Sequence, residues 1–266
     1  MKVAFMSFSC PELDLDSLLG LAKRLGYDAV EPRTQSGHGH GIELQATPEE
    51  RRAARDQVEG SGIALCCIAV SCDYADPETV VTHVEETRQA LDLAADLGCE
   101  RLRVFGGKIG GGLSREDAVA HVADALASVA GQAAERGVTI CVETHDAWCT
   151  PADMAAVMSR VNHPNIAVNW DIMHPVLSGG ATMEEAFATL EPWIRHVHVH
   201  DGRKDEDGRL ELVPIGEGDI DHAAAFQCLR DARYDGAVSG EWIGWEPAEV
   251  HLPRELDRLR RLLSHT

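Results

Sequence analysis

The feature that most constrains this chain is an alternation. A short β-branched run ends in a polar residue, a long helical segment follows, and the pair recurs eight times. The predicted strands cover residues 2–8, 28–31, 63–70, 101–105, 138–143, 166–171, 194–200 and 237–241. The predicted helices cover 14–25, 48–61, 77–97, 115–136, 151–161, 183–190, 220–232 and 253–263. In the first helix Leu15, Leu18, Leu19, Ala22 and Leu25 share one face. Strict βα alternation makes the strands parallel, because each helix returns the chain to the same end. Eight units in 266 residues fit a single (β/α)8 TIM barrel, one domain over 1–266. The rival is an open doubly wound sheet. It carries a glycine fingerprint after the first strand, where this chain has Ser9-Cys10-Pro11.

Charge narrows the partners. Asp and Glu number 44 against 24 Lys and Arg, a formal net charge of -20. Such a surface repels phosphate backbones and anionic lipid, so nucleic acid and membrane are poor partners. No run of 18 apolar residues occurs. Residues 1–6 read as a strand and not a secretory leader, since Ser9, Cys10 and Pro11 interrupt them. Eight cysteines occur with no CxxC pair, several in apolar runs. They read as reduced thiols of a cytoplasmic protein.

In a barrel of this kind the active site lies at the C-terminal strand ends. Those ends carry Glu31; Glu143 with His145 and Asp146; Asp171 with His174; His196, His198 and His200 before Asp201; and Glu241. Alternation puts the three strand histidines on one face. Each residue alone has a plain reading: Glu31 as a helix cap, His196 as hydrogen-bonded core. Together, acids and histidines from the last four strands converge at one rim. Carboxylates packed so densely repel one another unless a cation sits among them. Two Glu, one Asp and one neutral His suit one divalent metal ion: Mn2+ foremost, with Mg2+, Co2+ or Zn2+ as alternatives.

The segments Val142-Glu143-Thr144-His145, Asn169-Trp170-Asp171-Ile172-Met173-His174, His196-Val197-His198-Val199-His200-Asp201, Gly216-Glu217-Gly218-Asp219-Ile220-Asp221 and Ser239-Gly240-Glu241-Trp242 resemble the xylose isomerase-like barrel family. That family includes sugar epimerases and isomerases, inosose dehydratases and endonuclease IV-type enzymes. The resemblance implies Glu143, Asp171, His198 and Glu241 as metal ligands. His198 is preferred to His200 because the family's ligand precedes an acid by three positions, and Asp201 stands there. It also implies Glu143 and Glu241 as the groups that move protons, and His174 as a contact to substrate oxygen. The epimerases carry an arginine six positions beyond the ligand histidine; here that position is Lys204, preceded by Arg203. Dimers or tetramers are common in the family, which leaves a homo-oligomer open. The nuclease branch needs a basic groove, which the charge argues against.

The expected function is metal-dependent isomerisation or epimerisation of a keto sugar or related polyol through an enediolate. The alternative is a lyase of the inosose dehydratase type. Candidate substrate contacts are His145, His174, Lys108, Arg203 and Lys204. The glycine-rich loop 106–112 reads as an anion cradle or a lid. Trp148 is expected near the rim as a sugar platform, while Trp242 reads as core. Phe8, His38 and His40 are further pocket candidates, and His83, His121, His163, His222, His251 and His265 read as surface.

Overall fold

The computed structural model describes residues 1–205 and 207–264. Its strands are β1 (Lys2–Met6), β2 (Ala29–Glu31), β3 (Ala64–Leu65), β4 (Ile68–Ala69), β5 (Arg101–Phe105), β6 (Thr139–Glu143), β7 (Ile166–Asp171), β8 (Ile194–Val199), β9 (Asp201–Lys204), β10 (Leu210–Val213) and β11 (Ala237–Gly240). Its helices are α1 (Leu15–Leu25), α2 (Pro48–Ser61), α3 (Val80–Asp96), α4 (Arg115–Arg136), α5 (Pro151–Val161), α6 (His174–Leu177), α7 (Met183–Leu190), α8 (His222–Asp231) and α9 (Ala248–Ser264). Nine strands form one sheet in the order β3-β2-β1-β11-β8-β7-β6-β5-β4, all pairs parallel. The result is a nearly closed parallel TIM barrel.

The third predicted strand is broken at Cys66-Cys67 into β3 and β4, which stand at opposite ends of the sheet order. The break is how the barrel closes. β3 follows β2, and the Cys66 amide still donates to Val30 O at 3.1 Å. β4 turns toward β5, and its Ala69 amide bonds Pro32 O at 2.9 Å. The β9–β10 hairpin was not expected from the sequence. It pairs antiparallel, Arg203 opposite Glu211, outside the barrel sheet.

Local chemistry sets the helix ends. Asp14 and Ser114 cap α1 and α4, and Thr47 with Glu50 and Thr182 with Glu185 form capping boxes on α2 and α7. α9 starts at Ala248, five residues before the Pro253 at which the sequence suggested a start. The core is one large cluster of Val, Leu, Ile and Ala between barrel and helices, with a small satellite of Ala4, Ala29, Cys66, Cys67 and Ala237 inside the barrel. All eight cysteines are free thiols, seven of them buried. Burial pushes Cys72, Cys99 and Cys141 up to about 12, which keeps them unreactive. Among the described residues no helix is long and apolar enough to cross a membrane.

Candidate metal centre

Register places the acids. Glu143 pairs with Asn169, Asp171 with His198, and Ser239 with His198, so β6, β7, β8 and β11 bring their C-terminal ends to one layer. Glu241 follows β11 directly, its amide donating to Val199 O at 3.2 Å. Glu143, Asp171, His198 and Glu241 are all buried, and each offers a donor atom within 4.8 Å of the other three. Glu143 Oε1 and Oε2, Asp171 Oδ2 and His198 Nδ1 are buried without a hydrogen-bond partner. Orphaned polar atoms at this depth cost about 1–3 kcal/mol each. A cation among them removes that cost, so the donor set fits a divalent ion.

Each donor is held from behind. Asp171 Oδ1 accepts the amides of Met173 at 2.8 Å and His174 at 3.1 Å, which leaves Oδ2 to face inward. His198 Nε2 lies 3.1 Å from Glu31 Oε1, and His196 Nε2 lies 2.8 Å from Glu31 Oε2. His198 Nδ1 lies 3.2 Å from Glu241 and 3.7 Å from Glu143 without making a hydrogen bond to either. His200 Nδ1 donates to Glu241 O at 3.1 Å, and its Nε2 stands 2.8 Å from Asp171 Oδ2. Arg103 Nε lies 3.1 Å from Glu143, and its guanidinium sits 4.1 Å over the Phe105 ring.

These pairings set the charges. Burial alone raises the Glu143 carboxyl, but Arg103 and then His198 outweigh it and hold it at about 2. Burial is likewise overridden at Asp171 by His200 and His174, and at Glu31 by His198 and His196; both stay ionised. His198 is pushed well up despite burial, by Glu31, Glu241 and Glu143. At His145 burial is outweighed by Asp146 (Nδ1 to Oδ1 3.1 Å) and by Glu143, which lift it to about 9. Burial pushes His174 down. The rings of Phe105, His145, His174 and His200 meet in sequence, with centroids 5.1, 4.5 and 5.5 Å apart, as a wall beside the quartet.

Not every expected contact joins them. Lys108 and Lys204 are exposed, and among the described residues no hydrogen bond or ion pair links either to the quartet. Arg203 is engaged by Glu211 at 3.1 Å along the hairpin. Trp148 is no rim platform. It is fully buried, its Nε1 donates to Gly107 O at 2.8 Å, and a side chain at Gly106 would overlap its ring. Trp242 is core, as expected, with Gly240 packed on its ring. Phe8 lies in a tight turn after β1 against His38, which bonds Ser7 Oγ at 2.9 Å. His40 is buried, its Nδ1 accepting the Ile42 amide at 3.0 Å.

The helix histidines are not a surface set. His222 and His251 are buried, His222 between the carbonyls of Ile220 and His200 and His251 against Trp242. His83 is half-buried on Asp73, and His121 and His163 are half-buried. His265 lies outside the described residues. Glu31 is not a helix cap but a fully buried acceptor for two histidines. Arg103 was not foreseen. The signal available was its spacing, since Arg101, Arg103 and Phe105 alternate with Leu102 and Val104 and so share the inward face.

A parallel barrel with acids and histidines gathered at the C-terminal strand ends defines a class of TIM barrel with a candidate metal centre there. The chain matches the xylose isomerase-like TIM barrel family over residues 19–262 and belongs to it. Its relatives there include enzymes. A 3-dehydroshikimate dehydratase of Bacillus anthracis is 21% identical over 262 residues, 92% of this chain and 91% of that protein. An L-ribulose-5-phosphate 3-epimerase of Salmonella heidelberg is 25% identical over 229 residues, 82% and 78% of the two chains. Among solved structures, a D-psicose 3-epimerase in the presence of D-fructose superposes with a TM-score of 0.79 at 18% identity, covering 100% of both chains. That likeness shows the shared fold.

Proposed function

We propose that this chain is a divalent-metal-dependent isomerase or epimerase of a keto sugar or related polyol, moving a proton through an enediolate. The observation that carries the reading is the convergence of Glu143, Asp171, His198 and Glu241, with buried atoms of the first three that make no hydrogen bond. A divalent cation, Mn2+ foremost, would supply Lewis-acid polarisation of the substrate carbonyl and so acidify the neighbouring C–H. Arg103 braces the Glu143 carboxylate from one side, and Glu143 or Glu241 takes the proton. The carboxyl that took the proton returns it to the adjoining carbon to give the isomer. For the epimer it releases that proton to solvent, and the other carboxylate, protonated from solvent, delivers one to the opposite face of the same carbon. His174 and His145 line the wall where the substrate oxygens would rest. Burial of the quartet keeps water from quenching the enediolate.

A second reading, a dehydratase, is favoured by His145. Loss of a β-hydroxyl from the same enediolate needs a proton donor, and His145, held by Asp146 and lifted to about 9, is protonated at neutral pH. The B. anthracis relative, matched along 92% of this chain, is a dehydratase.

Proton NMR in D2O tests both. Ketohexoses, ketopentoses, inososes and 3-keto-glycosides would be incubated with the enzyme and trace Mn2+, with a chelator control. Deuterium at the α-carbon without loss of water is the expected result. A vinylic or deoxy signal replaces the first reading with the second, and neither signal across the panel contradicts both. Glu143→Gln and Glu241→Gln should each cut turnover by about 10²–10⁴-fold; a near-wild-type rate in either removes its role.

A further inference from the structure

Glu31 stands behind the quartet, on the far side of His198 from Glu143 and Glu241. Its two oxygens are divided: Oε1 takes His198 Nε2 at 3.1 Å and Oε2 takes His196 Nε2 at 2.8 Å. All three groups are fully buried. A carboxylate can only accept, so both Nε2 atoms must carry the hydrogen. A neutral imidazole has one hydrogen to place, and with it on Nε2 the lone pair sits on Nδ1. Nδ1 of His198 is the atom that faces Glu143 and Glu241 and has no hydrogen-bond partner. We infer that Glu31 is a positioning residue for the metal: it fixes the His198 tautomer and ring angle, and the Glu31–His198 pair acts as one ligand. His196 serves as the second anchor, stopping the carboxylate from rotating away. The inference rests on the metal reading proposed above.

Such outer partners typically set metal affinity by about 10–100-fold. Glu31→Gln keeps the shape but offers His198 one neutral oxygen, or an amide that cannot accept. His196→Gln removes the anchor and leaves the His198 bond in place. Mn2+ binding to the metal-stripped full chain would be followed by the EPR signal of the free ion. Long-range ¹H–¹⁵N correlation spectra would report the histidine tautomers before and after Zn2+.

The expected result is a zinc-bound wild-type His198 that keeps its hydrogen on Nε2 and carries none on Nδ1, with Zn2+ shifting Nδ1. Glu31→Gln should bind Mn2+ about 10–100-fold more weakly and His196→Gln well under tenfold more weakly. Equal losses in the two variants would mean a merely structural role and overturn the inference. So would unchanged affinity in Glu31→Gln, or a zinc-bound wild-type His198 protonated on Nδ1. If Glu31→Gln fails to fold, the wild-type tautomer decides alone. Failure of the underlying reading looks different: the wild-type chain takes up no Mn2+, which ends both claims.

Discussion

Arg103 and Glu143 form a buried ion pair at the floor of the site, 3.1 Å apart with side chains almost wholly inaccessible. Breaking such a pair strands a charge and costs about 3–5 kcal/mol. Arg103→Met should therefore lower the urea stability of the metal-free chain by that amount. The double variant with Glu143→Gln should recover most of it; a double variant as unstable as the single one would refute the pairing. His40 offers a pH test away from the quartet. Burial, then His38, pushes its imidazole from 6.5 down to about 4. Between those values the unfolded chain binds the extra proton, so stability should fall as pH drops from about 6.5 toward 4. His40→Asn keeps an acceptor for the Ile42 amide and should flatten that slope in urea melts at pH 7 and pH 5. An unchanged slope would show the proton binds elsewhere. At this scale the sequence revealed the acids and histidines at strand ends but not Arg103 or the role of Glu31. Both depend on partners far along the chain, 40 and 165 or more positions away, and no local pattern marks such pairs.

The strands and helices were more legible, because period and caps are local. Elements failed where tertiary contact overrode period. The apolar run 63–70 reads as one strand, yet it splits so that each half serves a different neighbour. The β9–β10 hairpin also escaped, because Gly202-Arg203-Lys204 lacks a β-branched run. Its anchor is Asp201. One oxygen accepts the amides of Gly202 at 2.8 Å and Ile220 at 3.3 Å; the other accepts Gly216 at 2.8 Å and Gly218 at 3.0 Å. A side chain at Gly218 would collide with Asp201 itself. This carboxylate ties the segment after the hairpin to the end of β8. Asp201→Asn should cost about 1–3 kcal/mol and speed amide exchange at Gly216, Gly218 and Ile220. Unaltered exchange there would show the loop is held by something else.

The barrel itself was legible because strict alternation leaves few topologies, and the fold then dictates which strand ends meet. That is why the acids and histidines at the ends of the last four strands could be grouped from the sequence, while the choice of His198 among the strand histidines came from the family resemblance. The closure between β2 and β4 and the wall of rings from Phe105 to His200 were not, since both arise only once the barrel curves. A bound ion acts on the whole molecule: Mn2+ at 100 times its Kd should add about 2.7 kcal/mol of stability, seen as a rise in Tm that EDTA reverses. The most direct test of the metal centre is the stoichiometry of Mn2+ on the metal-stripped chain, by equilibrium dialysis, beside an Asp171→Asn variant. One tightly held ion per wild-type chain, lost in the variant, is the predicted result. No tight ion, or uptake indifferent to Asp171, would contradict the account.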